Sequence, residues 1–130
     1  VGVDEEDRTL VWLGSTRDEL AAAPTGVRST FGFALRLAQQ GEKSDIARPM
    51  KGPLREVTEV RDIDESGAYR LMYCARIGER IYVLDVFQKK SHTSTATPKH
   101  ILDRIELRLK IAKEIEKKEQ QLERARRRDQ

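Results

Sequence analysis

With 130 residues, 38% of them hydrophobic and 36% charged, the chain has material for one compact domain and one modest core. A mean hydropathy of −0.67 and the lack of any 18-residue apolar run exclude a spanning helix, and the single Cys74 excludes an intrachain disulfide. The formal charge of +3 conceals a gradient: residues 1–47 sum to −3, residues 48–92 to +2 and residues 93–130 to +4.

Basic charge gathered in the later two thirds suits a polyanionic partner such as nucleic acid. With only His92 and His100 beside Cys74, neither a metal nor another cofactor is expected. Val1 to Asp7 carries no basic-then-apolar leader, so a cytoplasmic protein is the expectation.

In chain order, Leu10-Val11-Trp12-Leu13 has the size of one buried strand, closed by Gly14. Ser15 or Thr16 offers a helix cap, with Asp18 or Glu19 placed to complete a capping box, and Pro24 ends that short helix. A second helix carries Val27, Phe31, Ala34, Leu35 and Ala38 on one face and stops at Gly41. Two such helices form a hairpin that needs a sheet beneath it. Residues 42–53, rich in charge and broken by Pro49, Gly52 and Pro53, read as a loop.

Three strands are then predicted: Leu54 to Ile63, Tyr69 to Arg76, and Ile81 to Lys89, joined by Asp64-Glu65-Ser66-Gly67 and Ile77-Gly78-Glu79-Arg80 as an antiparallel meander. Strict alternation puts Tyr69, Leu71, Tyr73 and Ala75 on the core face with Tyr82, Leu84 and Val86. Ser91 to Thr97 is polar, and Pro98 opens a last helix with an apolar stripe from Ile101 to Ile115. Residues 1–115 make the domain; residues 116–130 continue the helix as a charged segment, solvated or bound to a partner. The expected class is α+β, an antiparallel sheet with the helical hairpin on one face and a long C-terminal helix.

If helices cover one face only, the other presents Glu59 and Arg61 or their neighbours, then Arg70, Met72 and Cys74, then Val83, Asp85, Phe87 and Lys89. Lys90, Ser91 and His92 follow at the strand end, and Lys51 lies in the preceding loop. Cations around an aromatic ring suit RNA cleavage: guanidinium and ammonium groups neutralise the phosphate, and Phe87 can stack an unpaired base. His92 has a suitable intrinsic pKa for proton transfer, whereas a lysine serves only if its neighbours lower its pKa. Each residue also has a structural reading: Arg70 and Asp85 as an ion pair, Lys89-Lys90 as a solvated strand end, Cys74 and Trp12 as packing. The nuclease reading requires Arg70 near Lys89 and Lys90, on a face not lying beneath helices.

Gly32-Phe33-Ala34-Leu35, Gln40-Gly41, Lys51-Gly52, Glu59-Val60-Arg61 and Tyr69-Arg70-Leu71-Met72-Tyr73 follow one another in a recognisable order. Tyr82 to Ser91, Thr97-Pro98 and Arg108-Leu109-Lys110 continue it. Across residues 8–115 the sequence resembles the phage-related, HigB-like branch of the RelE/ParE toxin superfamily. The resemblance implies a microbial-ribonuclease-like fold and the toxin of a type II toxin–antitoxin pair. It also implies a metal-independent endoribonuclease acting on mRNA at the ribosome, in which the 2′-hydroxyl attacks the phosphate.

Position by position, it implies catalytic roles for Arg70, Lys89, Lys90 and His92 and a phosphate contact for Lys51; the open-face reading adds Arg61, Phe87 and Asp85 as RNA-binding residues. Asp85 stands where many relatives have histidine; it takes the base role there or leaves the protein weak. The implied partners are an antitoxin carrying a helix-turn-helix, which would bring operator DNA, and mRNA with the ribosome; no membrane is involved. A gyrase inhibitor of the ParE kind and a nucleic-acid-binding module without catalysis are the alternatives.

Overall fold

The computed structural model of the chain describes residues 7–89 and 96–129. Its elements are β1 (Leu10–Trp12), α1 (Thr16–Ala21), α2 (Thr25–Gln39), β2 (Ala47–Pro49), a 3₁₀ turn (Gly52–Leu54), β3 (Val57–Asp64), β4 (Gly67–Cys74), β5 (Ile81–Lys89) and α3 (Lys99–Arg128). The five strands form one sheet in the order β1-β5-β4-β3-β2. This is an α+β fold, with three antiparallel pairings and a parallel one between β1 and β5. The sheet is therefore mixed, not antiparallel throughout. The α1–α2 hairpin between β1 and the meander returns the chain across a face, so β1 can lie alongside β5 in the same direction.

Local chemistry accounts for the boundaries. Ser15 occupies the α1 cap position without a side-chain bond, so the capping box does not form. Pro24 caps α2, and Val27, Phe31, Ala34, Leu35 and Ala38 are its buried residues. In the β3–β4 turn the Asp64 carboxylate accepts from the Ser66 backbone N–H at 2.8 Å, and Gly67 takes a φ of +133°. Within residues 42–53, Ala47–Pro49 is a strand, not loop: its backbone pairs with Thr58–Val60 at the sheet edge, where Pro49 is tolerated.

Both faces of the sheet are covered. The α1–α2 side buries Val60, Leu71, Tyr73, Ile81, Val83 and Val86 against α2. The opposite side buries Val57, Met72, Cys74, Tyr82 and Leu84 against Ile101, Ile105, Leu109 and Ala112 of α3. The expected open face is thus closed over much of its length by α3, whose stripe needs a partner surface as much as α2's does.

A bulge breaks the expected alternation. Met72 pairs with Asp85 but Tyr73 pairs with Val83, so Leu84 is the extra residue. One inserted residue reverses the phase. Tyr82 and Leu84 consequently face α3, Val83 joins the hairpin core, and Val86 keeps its expected side.

Polar contacts also pin α3. Asp85, fully buried, accepts from Arg104 Nε at 2.7 Å and Nη2 at 2.8 Å, and Arg108 donates to the Leu84 carbonyl at 2.9 Å. Further along, the buried Glu116 accepts from Tyr82 Oη at 2.7 Å and Arg80 Nη1 at 3.1 Å. Arg80 also reaches Glu119 and Glu123, so polar contact continues past the apolar stripe.

Candidate nucleic-acid interface

Towards the ends of β3, β4 and β5 away from this apolar patch, the α3-side face turns polar. Cross-strand register aligns Arg61 with Arg70 and Arg70 with Phe87, while Ala68 pairs with Lys89. Because side chains of paired residues share a face, three strands bring Arg61, Arg70, Phe87 and Lys89 together. Glu59, two residues before Arg61, joins them.

The Glu59 carboxylate bridges two guanidiniums: Oε1 accepts from Arg61 Nε at 2.9 Å, and Oε2 lies 3.5 Å from Arg70 Nη1. Arg70 is only 4% exposed and also donates from Nη1 to Thr97 Oγ1 at 2.9 Å, just before α3 begins. Burial lowers the Arg70 pKa, the Glu59 carboxylate opposes that, and Arg61 adds to it. Lys89 is 6% exposed, and among the described residues its Nζ has no hydrogen-bond partner. Burial first, then the Arg70 and Arg61 charges, lower the Lys89 pKa against a smaller opposing effect of Glu59.

Beside this cluster lies a groove of about 1090 Å³ between the β2–β4 side and α3. Arg48, Lys51, Glu59, Arg61 and Arg70 line one wall; Leu102, Asp103 and Glu106 of α3 line the other. Its electrostatics are mixed, with four cations facing a smaller acidic wall. A phosphate entering from solvent meets exposed Lys51 and Arg61 before the recessed Arg70.

The structure thus brings together Arg70, Arg61 and Lys89, with Lys51 along the same groove. Phe87 is half-buried at the margin of the α3 core, next to Arg70 on the neighbouring strand. Asp85 is corrected: it lines no open surface, because Arg104 and Arg108 cover it, and it cannot contact RNA where it lies. The expected pair with Arg70 is replaced by Arg104 and Arg108, both from α3. Of the two placements required of Arg70, proximity to Lys89 is present; the open face is not, because α3 covers most of it and Arg70, 4% exposed, lines a groove where an open sheet was expected. Lys90 and His92 lie outside the described residues.

Reading the strands residue by residue gave Glu59 no role, although Glu59 and Arg61 share a face by simple alternation. Thr97 entered only as part of the Thr97-Pro98 motif, and Glu106 carried no sequence signal; the docking of α3 brings both to the groove. Cys74 is fully buried, its thiol pushed up by burial, which leaves it a packing residue. Among the described residues no group of three His, Cys, Asp or Glu side chains is placed to hold a metal ion, and no helix is long and apolar enough to cross a membrane.

The sequence profile of the phage-derived Gp49-like proteins matches residues 18–110. The chain belongs to that family. Among solved structures it is similar to a chain of the toxin–antitoxin complex RelBE2 from Mycobacterium tuberculosis. That match has 20% identity and a TM-score of 0.44, and covers 65% of this chain and 100% of that one. No curated protein matches the sequence.

Proposed function

We propose that this protein is the toxin of a type II toxin–antitoxin pair and cleaves mRNA on the ribosome by internal transesterification. Membership of the phage-derived Gp49-like family, with the resemblance of residues 8–115 to RelE/ParE toxins, supports the toxin class. The observation that carries the nuclease reading is the Glu59–Arg61–Arg70–Lys89 cluster beside a cationic groove.

In this reading an RNA phosphate displaces Glu59 from its two guanidiniums, and Arg61 and Arg70 take the non-bridging oxygens. The released Glu59 carboxylate accepts the proton of the adjacent 2′-hydroxyl, whose oxygen attacks phosphorus. The P–O5′ bond breaks, and the ammonium of Lys89, made more acidic by burial and by Arg70, gives its proton to the leaving oxygen. The products are a 2′,3′-cyclic phosphate and a 5′-hydroxyl end; water returns Glu59 and Lys89 to their starting states. Lys51 holds a neighbouring phosphate, and Phe87 stacks a base once the strand is seated. Lys90 and His92 remain proposed members of the site.

Primer extension on translated mRNA after induction tests this. The wild type should produce discrete cleavage ends and arrest growth, while Arg70→Ala should do neither at equal expression and retained fold. Full toxicity in Arg70→Ala overturns the reading; replication arrest with intact mRNA points to gyrase. The proposed antitoxin has a natural contact in the outer face of α3, where Leu107 and Ile111 are exposed, with Leu122 further on.

A further inference from the structure

Glu106 is an exposed carboxylate in a groove whose opposite wall carries Arg48, Lys51, Arg61 and Arg70. It makes no hydrogen bond or ion pair among the described residues, whereas Glu59 is bridged to two arginines and Asp103 holds Lys99 at 2.9 Å. An acceptor left open beside four cations repels a phosphate, so an RNA backbone in this groove must follow the β3–β4 wall. The attached base then turns towards α3. On that side it meets Leu102, and Pro49 and Met50 between Arg48 and Lys51 face it from the other wall, apolar surfaces suited to the flat faces of a nucleobase.

We infer that this end of the groove is a base-reading subsite in which the Glu106 carboxylate recognises guanine. The inference rests on the nuclease reading above and deepens it. A carboxylate is an acceptor only, with two oxygens side by side. Guanine answers with two adjacent donors, N1–H and N2–H. Adenine and cytosine set an amino donor next to a ring acceptor, and uracil flanks its single N–H with two carbonyls, so each places a lone pair against the acid. Asp103, one turn away, adds negative potential that favours the same donors.

Calorimetric titration of the full chain with the four nucleoside 3′-monophosphates tests the subsite. Guanosine 3′-monophosphate should bind about tenfold more tightly than the others, in the range that one good bidentate contact supplies. Glu106→Gln, at an exposed position that should not disturb folding, should shrink the preference to about twofold, because an amide replaces one acceptor with a donor. Arg70→Ala should weaken all four nucleotides alike. Equal binding of the four, no binding of any, or a guanine preference that survives Glu106→Gln overturns the inference. Intact translated mRNA with the guanine preference present would sink the nuclease reading alone. Cleavage without the preference would sink the subsite alone.

Discussion

Removing the Arg104 side chain tests how α3 is held over the sheet. Arg104→Ala deletes two charge-assisted bonds, of 2.7 and 2.8 Å, from a carboxylate with no solvent exposure. The remaining cation, Arg108, stands 3.7 Å away and is already engaged with the Leu84 carbonyl. Breaking a buried ion pair from one side costs about 3–5 kcal/mol, because the surviving charge stays desolvated. The Arg104 side chain is 38% exposed, so water can enter the space it leaves and the lower end, about 3 kcal/mol, is expected.

Asp85→Asn should cost less, about 1–2 kcal/mol, since the amide oxygen still accepts one bond and Arg104 can turn into solvent. Replacing both, as Asp85→Leu with Arg104→Met, should fall within about 1 kcal/mol of wild type if the apolar pair packs. Urea unfolding followed by the fluorescence of Trp12 reports all three, because β1 pairs with β5, the strand that carries Asp85. A loss below about 1 kcal/mol in Arg104→Ala, or a double variant as unstable as the sum of its parts, would refute a buried and coupled pair.

Two further outcomes follow from the titrating groups. Burial raises the Glu116 pKa, but the bonds from Tyr82, Arg80 and Gln120 outweigh it and hold the carboxyl below its ordinary value. A depressed folded-state pKa adds stability above the unfolded value of about 4.3 and loses it as pH falls through the folded value. The stability advantage of wild type over Glu116→Gln, measured by urea titration, should therefore be full at neutral pH and shrink below that point; a constant difference would contradict it. Lys89→Met should raise the thermal midpoint while abolishing cleavage, since it removes a buried ammonium that has no hydrogen-bond partner among the described residues. A lower midpoint would show that Lys89 stabilises the strand end.

The chain's own pattern determined a good deal. Apolar spacing marked α2 and the start of α3, and the Asp64–Gly67 turn with period-two alternation located the meander. The α1–α2 side of β4 followed from the same period, as did the common face of Glu59 and Arg61. These features are local, set by neighbours a few residues apart.

Tertiary structure decided the rest. A single extra residue at Leu84 reversed the phase of β5, and alternation counted through it assigned Tyr82, Leu84 and Val83 to the wrong sides. Backbone pairing across the sheet edge made a strand of Ala47–Pro49, whose three residues carry no periodic signal. Asp85 was covered by arginines 19 and 23 positions later, which became its neighbours only when α3 docked on a face read as open. Docking of the same helix enclosed Arg70, supplied Thr97 and set Glu106 across from the basic wall. Alternation states which residues point the same way; which distant element covers them is settled by the burial of α3's apolar stripe and the desolvation of the charges beneath it.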